Sequence, residues 1–163
     1  MATIEEYAKQ PTAQRLKRLE RTADDLTAAI KGQSPATLAK RPDQKNWAGV
    51  EVLCHLRDTE EAFNGRFQMF LAMDDTKLLP ADPDRWAIDR QYARCDASEA
   101  IEAFRKRRAE NLDVFKKLSP DQWKRGGTHP TRGRMTFDDF LSLMCYHDDT
   151  HTDQLQRALK GEA

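Results

Sequence analysis

Four stretches of this chain place their apolar residues on one face at helical spacing, a pattern that commits most of the sequence to amphipathic helix. The first reads Leu16, Leu19, Ala23, Leu26 and Ile30 and stops at Gly32, a residue suited to a left-handed helix end. The second carries Leu53, Leu56, Phe63, Phe67 and Phe70 between about Trp47 and Met73, with Asn46 placed to cap it and Leu79-Pro80-Ala81-Asp82-Pro83 to break it. The third opens at Asp96 or Ser98, carries Ile101, Phe104, Leu112, Phe115 and Leu118, and ends before Ser119-Pro120. The fourth begins near Thr136 and carries Phe137, Phe140, Leu141, Met144, Leu155 and Leu159. Ser34-Pro35 and Ser119-Pro120 each start a short helical turn, and Trp86, Ile88 and Tyr92 fall where a further turn fits. Arg125 to Gly133 reads as a loop on local criteria, and no run alternates as strands do.

One-sided stripes bury their apolar faces together only as a bundle. The expected fold is all-α: a four-helix bundle spanning residues 1–163 as one domain, with short extra helical turns in the connections. The length of the second connection argues against a simple up-and-down meander.

Composition narrows the function classes. The longest apolar runs are only a few residues, such as Val52-Leu53-Cys54, so no membrane span is expected. The amino terminus is acidic where a secretory leader is basic, which predicts a cytoplasmic protein. Lys+Arg 27 against Asp+Glu 27 gives a net charge of +0, so no global field favours nucleic acid. Cys54, Cys95 and Cys145 have no paired spacing and read as reduced thiols; Cys54 and Cys145 are core filler rather than nucleophiles.

The chemistry concentrates in the histidines. His147 and His151 lie four apart, about 40° of rotation and one helical turn, between Met144 and Leu155 of the fourth stripe. His55 sits on the inner side of the second helix. Three imidazoles from two helices can therefore meet in the interior, where each needs a partner for its nitrogens. A divalent cation supplies that partner, and three protein ligands plus water is the pattern of a reactive site. Asp58, Glu51 and Gln154 are placed to fix imidazole tautomers. His129, in the Gly/Pro-rich segment, reads as a surface or structural residue.

Trp47, then Val50-Glu51-Val52-Leu53-Cys54-His55-Leu56-Arg57-Asp58, then Gly127-Thr128-His129-Pro130, then Tyr146-His147-Asp148-Asp149-Thr150-His151 follow one another in an order that resembles the DinB/YfiT-like superfamily. The resemblance covers nearly the whole chain. It implies a four-helix bundle, commonly dimeric, in which His55, His147 and His151 hold one divalent ion, zinc or nickel. It further implies a small-molecule substrate and a low-molecular-weight thiol as cosubstrate, the ion activating a thiolate or water for transferase or hydrolase chemistry.

Two other readings compete. In one, the protein is a non-catalytic, metal-stabilised interaction protein that dimerises through its helices, and a fourth side chain closes the metal shell. In the other, no metal binds, and His147 and His151 join Asp58 and Gln154 in a buried polar network.

Overall fold

The computed structural model describes residues 1–163. Four long helices form the bundle: α2 (Thr12–Ile30), α4 (Gly49–Ala72), α6 (Ala97–Lys117) and α7 (Phe137–Leu159). Short helices occupy the connections: α1 (Ile4–Ala8), α3 (Pro35–Ala39), α5 (Pro83–Asp89), and 3₁₀ turns at Tyr92–Arg94 and Gln122–Lys124. The all-α expectation holds, and the helix ends follow from local chemistry. Gly32 leaves α2 with φ +78°, Ser34 Oγ accepts from the Thr37 N–H, and Asp96 caps α6 through the Glu99 N–H. Thr136 and Asp139 cap each other at the start of α7.

Three local expectations need correction. Asn46 does not cap α4, because its backbone and side-chain amides both donate to Asp43. Instead the Ala48 N–H donates to the Glu51 carboxylate at 2.9 Å, and the helix starts at Gly49. Second, α1 has no counterpart among the expected elements. At five residues it is too short to show an apolar period, and reciprocal hydrogen bonds between Thr3 and Glu6 define it. Third, the segment expected to be a loop after Arg125 is a hairpin, β2 (Gly126–His129) against β3 (Gly133–Thr136), with β1 (Thr76–Lys77) added parallel to β2. Its glycines conceal it. A Cβ on Gly126 would stand 2.0 Å from the Met135 carbonyl oxygen, so the close strand approach demands the residue that normally signals a turn.

Each of α2 and α7 packs on a partner other than its chain neighbour. The main contacts run α2 to α6, α6 to α4, α4 to α7 and α7 back to α2. Sequential helices α2 and α4 are thus diagonal, as are α6 and α7, and the bundle departs from an up-and-down meander. The connections at 31–48 and 118–136 carry the chain across it, whereas the long second connection, expected to be the cause, joins the directly packed neighbours α4 and α6.

The core is split along the bundle axis. One apolar cluster holds Leu26, Leu56, Phe104 and Leu155, and the other holds Leu19, Phe63, Leu112 and Cys145. Between these levels, each long helix contributes a buried polar residue: Thr22, Glu60, Arg108 and Asp148. The four meet. Arg108 donates to both oxygens of Glu60 and of Asp148, Thr22 donates to Asp148, and Asn111 donates to Glu60. Burial alone would lower the Arg108 pKa, but Asp148 and Glu60 raise it and keep the guanidinium charged.

Candidate metal centre

His55 of α4 and the pair His147 and His151 of α7 converge beside this charged layer. His55 Nε2 lies 3.0 Å from His147 Nε2 and 3.1 Å from His151 Nε2. One nitrogen from each ring falls within 4.8 Å of the others, and no further His, Cys, Asp or Glu joins the cluster. His55 is buried, while His147 and His151 are partly so. The helical spacing of the α7 pair and the direct packing of α4 on α7 bring the three rings together.

The outer nitrogen of His151 fixes which of its lone pairs faces inward. His151 Nδ1 stands 2.7 Å from Gln154 Oε1, an oxygen that only accepts, so this ring nitrogen donates and Nε2 is left as a bare lone pair. His55 Nδ1 faces Thr59 Oγ1 at 3.4 Å. Neutral rings are enforced by the surroundings. Burial, then the neighbouring His151, pushes His55 down to about 3, and burial likewise lowers His147 and His151.

That donor set fits a divalent ion. Nitrogens about 2.0–2.1 Å from one tetrahedral ion stand about 3.3 Å apart, close to the 3.0 and 3.1 Å that separate His55 Nε2 from the other two rings. Without a cation the inward lone pairs leave at most one shared proton for the trio, an arrangement that costs free energy in a partly buried site.

Of the residues expected to orient the imidazoles, Gln154 does so and the two carboxylates do not. Glu51 is taken by Arg41 and the Ala48 N–H. Asp58 accepts from Arg57, Arg90, Arg107 and Tyr92. Neither is hydrogen-bonded to His55, because arginines and Tyr92 from other segments, together with the adjacent Ala48 N–H and Arg57, take their oxygens. Thr59 is absent from the expected set, although its position four residues after His55 places it on the same face. Trp47 enters the sequence reading only as the approximate start of the second helix and in the family pattern, yet its ring lies 5.0 Å from that of His55. His129 lies in β2, outside the cluster, where its Nδ1 accepts from the Thr131 and Arg132 N–H groups. Burial pushes the thiols of Cys54 and Cys145 up to about 12, which fits core filler rather than nucleophiles.

A cavity of about 190 Å³ opens beside the centre, lined by Lys45, Asn46, Trp47, Asp84, His151 and Gln154. No helix is long and apolar enough to cross a membrane.

Known proteins share this arrangement of helices. YfiT of Bacillus subtilis (strain 168), which carries the name of a metal-dependent hydrolase, is 22% identical over 148 residues, covering 90% of this chain and 83% of its own. Its solved structure, described as a four-helix bundle of unusual topology, superposes with a TM-score of 0.86 at 21% identity over 95% of this chain and 90% of that one. A mycothiol-dependent maleylpyruvate isomerase has the same fold at a TM-score of 0.73 and 11% identity, over 95% of this chain and 63% of that enzyme. The family model of the DinB superfamily matches residues 18–155, a span that includes all three histidines, and the chain belongs to that superfamily.

Proposed function

We propose that this protein is a metal-dependent enzyme in which His55, His147 and His151 hold one divalent ion, zinc or nickel, and that it acts on a small molecule as a hydrolase or a thiol-using transferase. The observation that carries this reading is the convergence of three imidazole nitrogens with no fourth protein ligand. A bound ion would supply a lowered pKa to a coordinated water or thiol.

The chain's own residues do the rest. Gln154 holds the ring of His151 in the tautomer that presents Nε2, and Thr59 faces the outer nitrogen of His55. Trp47 walls one side of His55, and the Arg41–Glu51 pair ties the preceding loop to the first turn of α4. The name of YfiT supports water as the activated group, and that of the structurally similar isomerase supports a thiol. The alternative of a non-catalytic, metal-stabilised protein needs a side chain that closes the shell. Glu51 and Asp58, placed nearest in sequence, are both engaged elsewhere.

Elemental analysis of protein kept away from chelators tests the premise. About one divalent ion per chain is expected, and its removal should lower the melting temperature. Protein without a stoichiometric ion that is also unaffected by added zinc or nickel overturns the reading. A screen for metal-dependent turnover with and without low-molecular-weight thiols then separates hydrolase from transferase.

A further inference from the structure

On the α4 side of the hairpin lies a second polar cluster that the metal centre does not use. Arg15, Arg18, Arg57, Arg107 and Arg108, all buried or partly buried, each pair with a carboxylate. Arg66 is partly buried and pairs with none. Its one hydrogen bond in the protein goes from Nη2 to the Leu79 carbonyl at 3.0 Å. A guanidinium has five N–H donors, so most of them are left for something else. The group lies over the Phe140 ring, 5.7 Å from its centroid, which fixes it without neutralising it. Burial lowers its pKa, as expected for a cation lacking a counter-charge.

His129 lies beside it: the Leu78 N–H donates to the Thr128 carbonyl at 2.9 Å, so the strand that carries His129 runs next to the Leu79 carbonyl held by Arg66. The Thr131 and Arg132 N–H groups both donate to its Nδ1, so the neutral ring carries its proton on Nε2, and this N–H has no protein partner. The charges that act on His129 are those of Arg66 and Arg132, both positive. A partly buried arginine, a second arginine and an outward imidazole N–H thus share one corner with no acid among them.

We propose that Arg66, His129 and Arg132 form a binding site for an oxyanion, a carboxylate or phosphate group. An aromatic floor joins it to the metal centre: Phe140 packs on Phe63 at 5.8 Å and Phe63 on His147 at 5.9 Å. On the α4 face that carries His55, Arg66 comes 11 residues later, about 20° round the axis and roughly 16 Å along it. If the enzymatic reading holds, on which this extension rests, the substrate is an elongated acid whose anionic end sits at Arg66.

Titration of the full-length, zinc-loaded protein with inorganic phosphate, and separately with acetate, followed by the His129 imidazole proton resonance, tests the site. A saturable shift is expected, weakened about tenfold or more in Arg66→Gln and unchanged in Arg21→Gln, which removes an exposed arginine elsewhere. A response to phosphate alone identifies a phosphate site, and one to both a general oxyanion site. The same titration of His147→Ala should keep the shift, so the metal reading and this one fail separately. No saturable shift with either anion, or an equal shift in Arg66→Gln, overturns the proposal.

Discussion

Arg108 grips Asp148 through two hydrogen bonds, Nη1 to Oδ2 at 2.6 Å and Nη2 to Oδ1 at 3.0 Å, one residue beyond His147. The same guanidinium holds Glu60, five residues beyond His55, at 2.7 and 2.8 Å. One side chain of α6 thus joins the two helices that carry the three histidines. Removing it strands two buried carboxylates. Arg108→Ala should cost about 3–5 kcal/mol in urea denaturation, and Arg108→Lys should recover only part of that because the planar fork is lost. A loss below about 1 kcal/mol would show that the charged layer does not hold the helices together.

Gln154 reaches only His151, so its effect should be confined to the metal. Gln154→Ala is expected to weaken zinc or nickel affinity about 10–100-fold with the helical circular dichroism and denaturation midpoint of the apo protein unchanged. Competition with a chromophoric chelator measures it. Unaltered affinity would assign the Gln154 contact to packing alone.

Asp58 predicts a pH dependence. Burial raises its pKa, but hydrogen bonds from Arg57, Tyr92 and Arg90 outweigh burial and hold the carboxyl well below the usual range. A depressed pKa contributes stability that is complete above the unfolded value of about 3.9 and fades as pH falls toward the folded value. Asp58→Asn should therefore lose about 3 kcal/mol at pH 7, and its stability curve should approach that of the wild type below about pH 4. A difference constant from pH 7 to pH 3 would contradict this assignment.

Two glycines should respond in opposite directions. Gly126→Ala forces a Cβ against the Met135 carbonyl and should lower the melting temperature by several degrees. Gly65 lies inside α4, and a Cβ added there would meet nothing within 4 Å, so Gly65→Ala should stabilise by about 0.5–1 kcal/mol. Thermal melts of the two variants compare them directly, and a stabilising Gly126→Ala would contradict the strand pairing.

Local chemistry accounts for much of what is legible in the sequence. The four stripes, the Gly32 stop, the caps at Ser34, Asp96 and Thr136, and the shared face of His147 and His151 depend on residues within about one helical turn of each other. Gln154 is readable beside His151 for the same reason. The fates of Glu51 and Asp58 are not, because Arg41, Arg90, Tyr92 and Arg107 approach them from other segments and compete successfully for their oxygens. A free carboxylate near a histidine in sequence pairs with whichever cation the fold delivers first, and charge-assisted bonds to arginine are the stronger ones.

Short-range periodicity is enough to specify the helices, their apolar faces and the placing of three imidazoles on inward surfaces. Tertiary structure decided that α4 packs on α7 while α2 and α4 lie diagonal, that a glycine-rich stretch pairs as strands, and that Arg66 is left without a counter-charge. Those outcomes turn on which distant groups meet. Pairing across the bundle is set by the summed burial of whole faces, which no single spacing along the chain encodes.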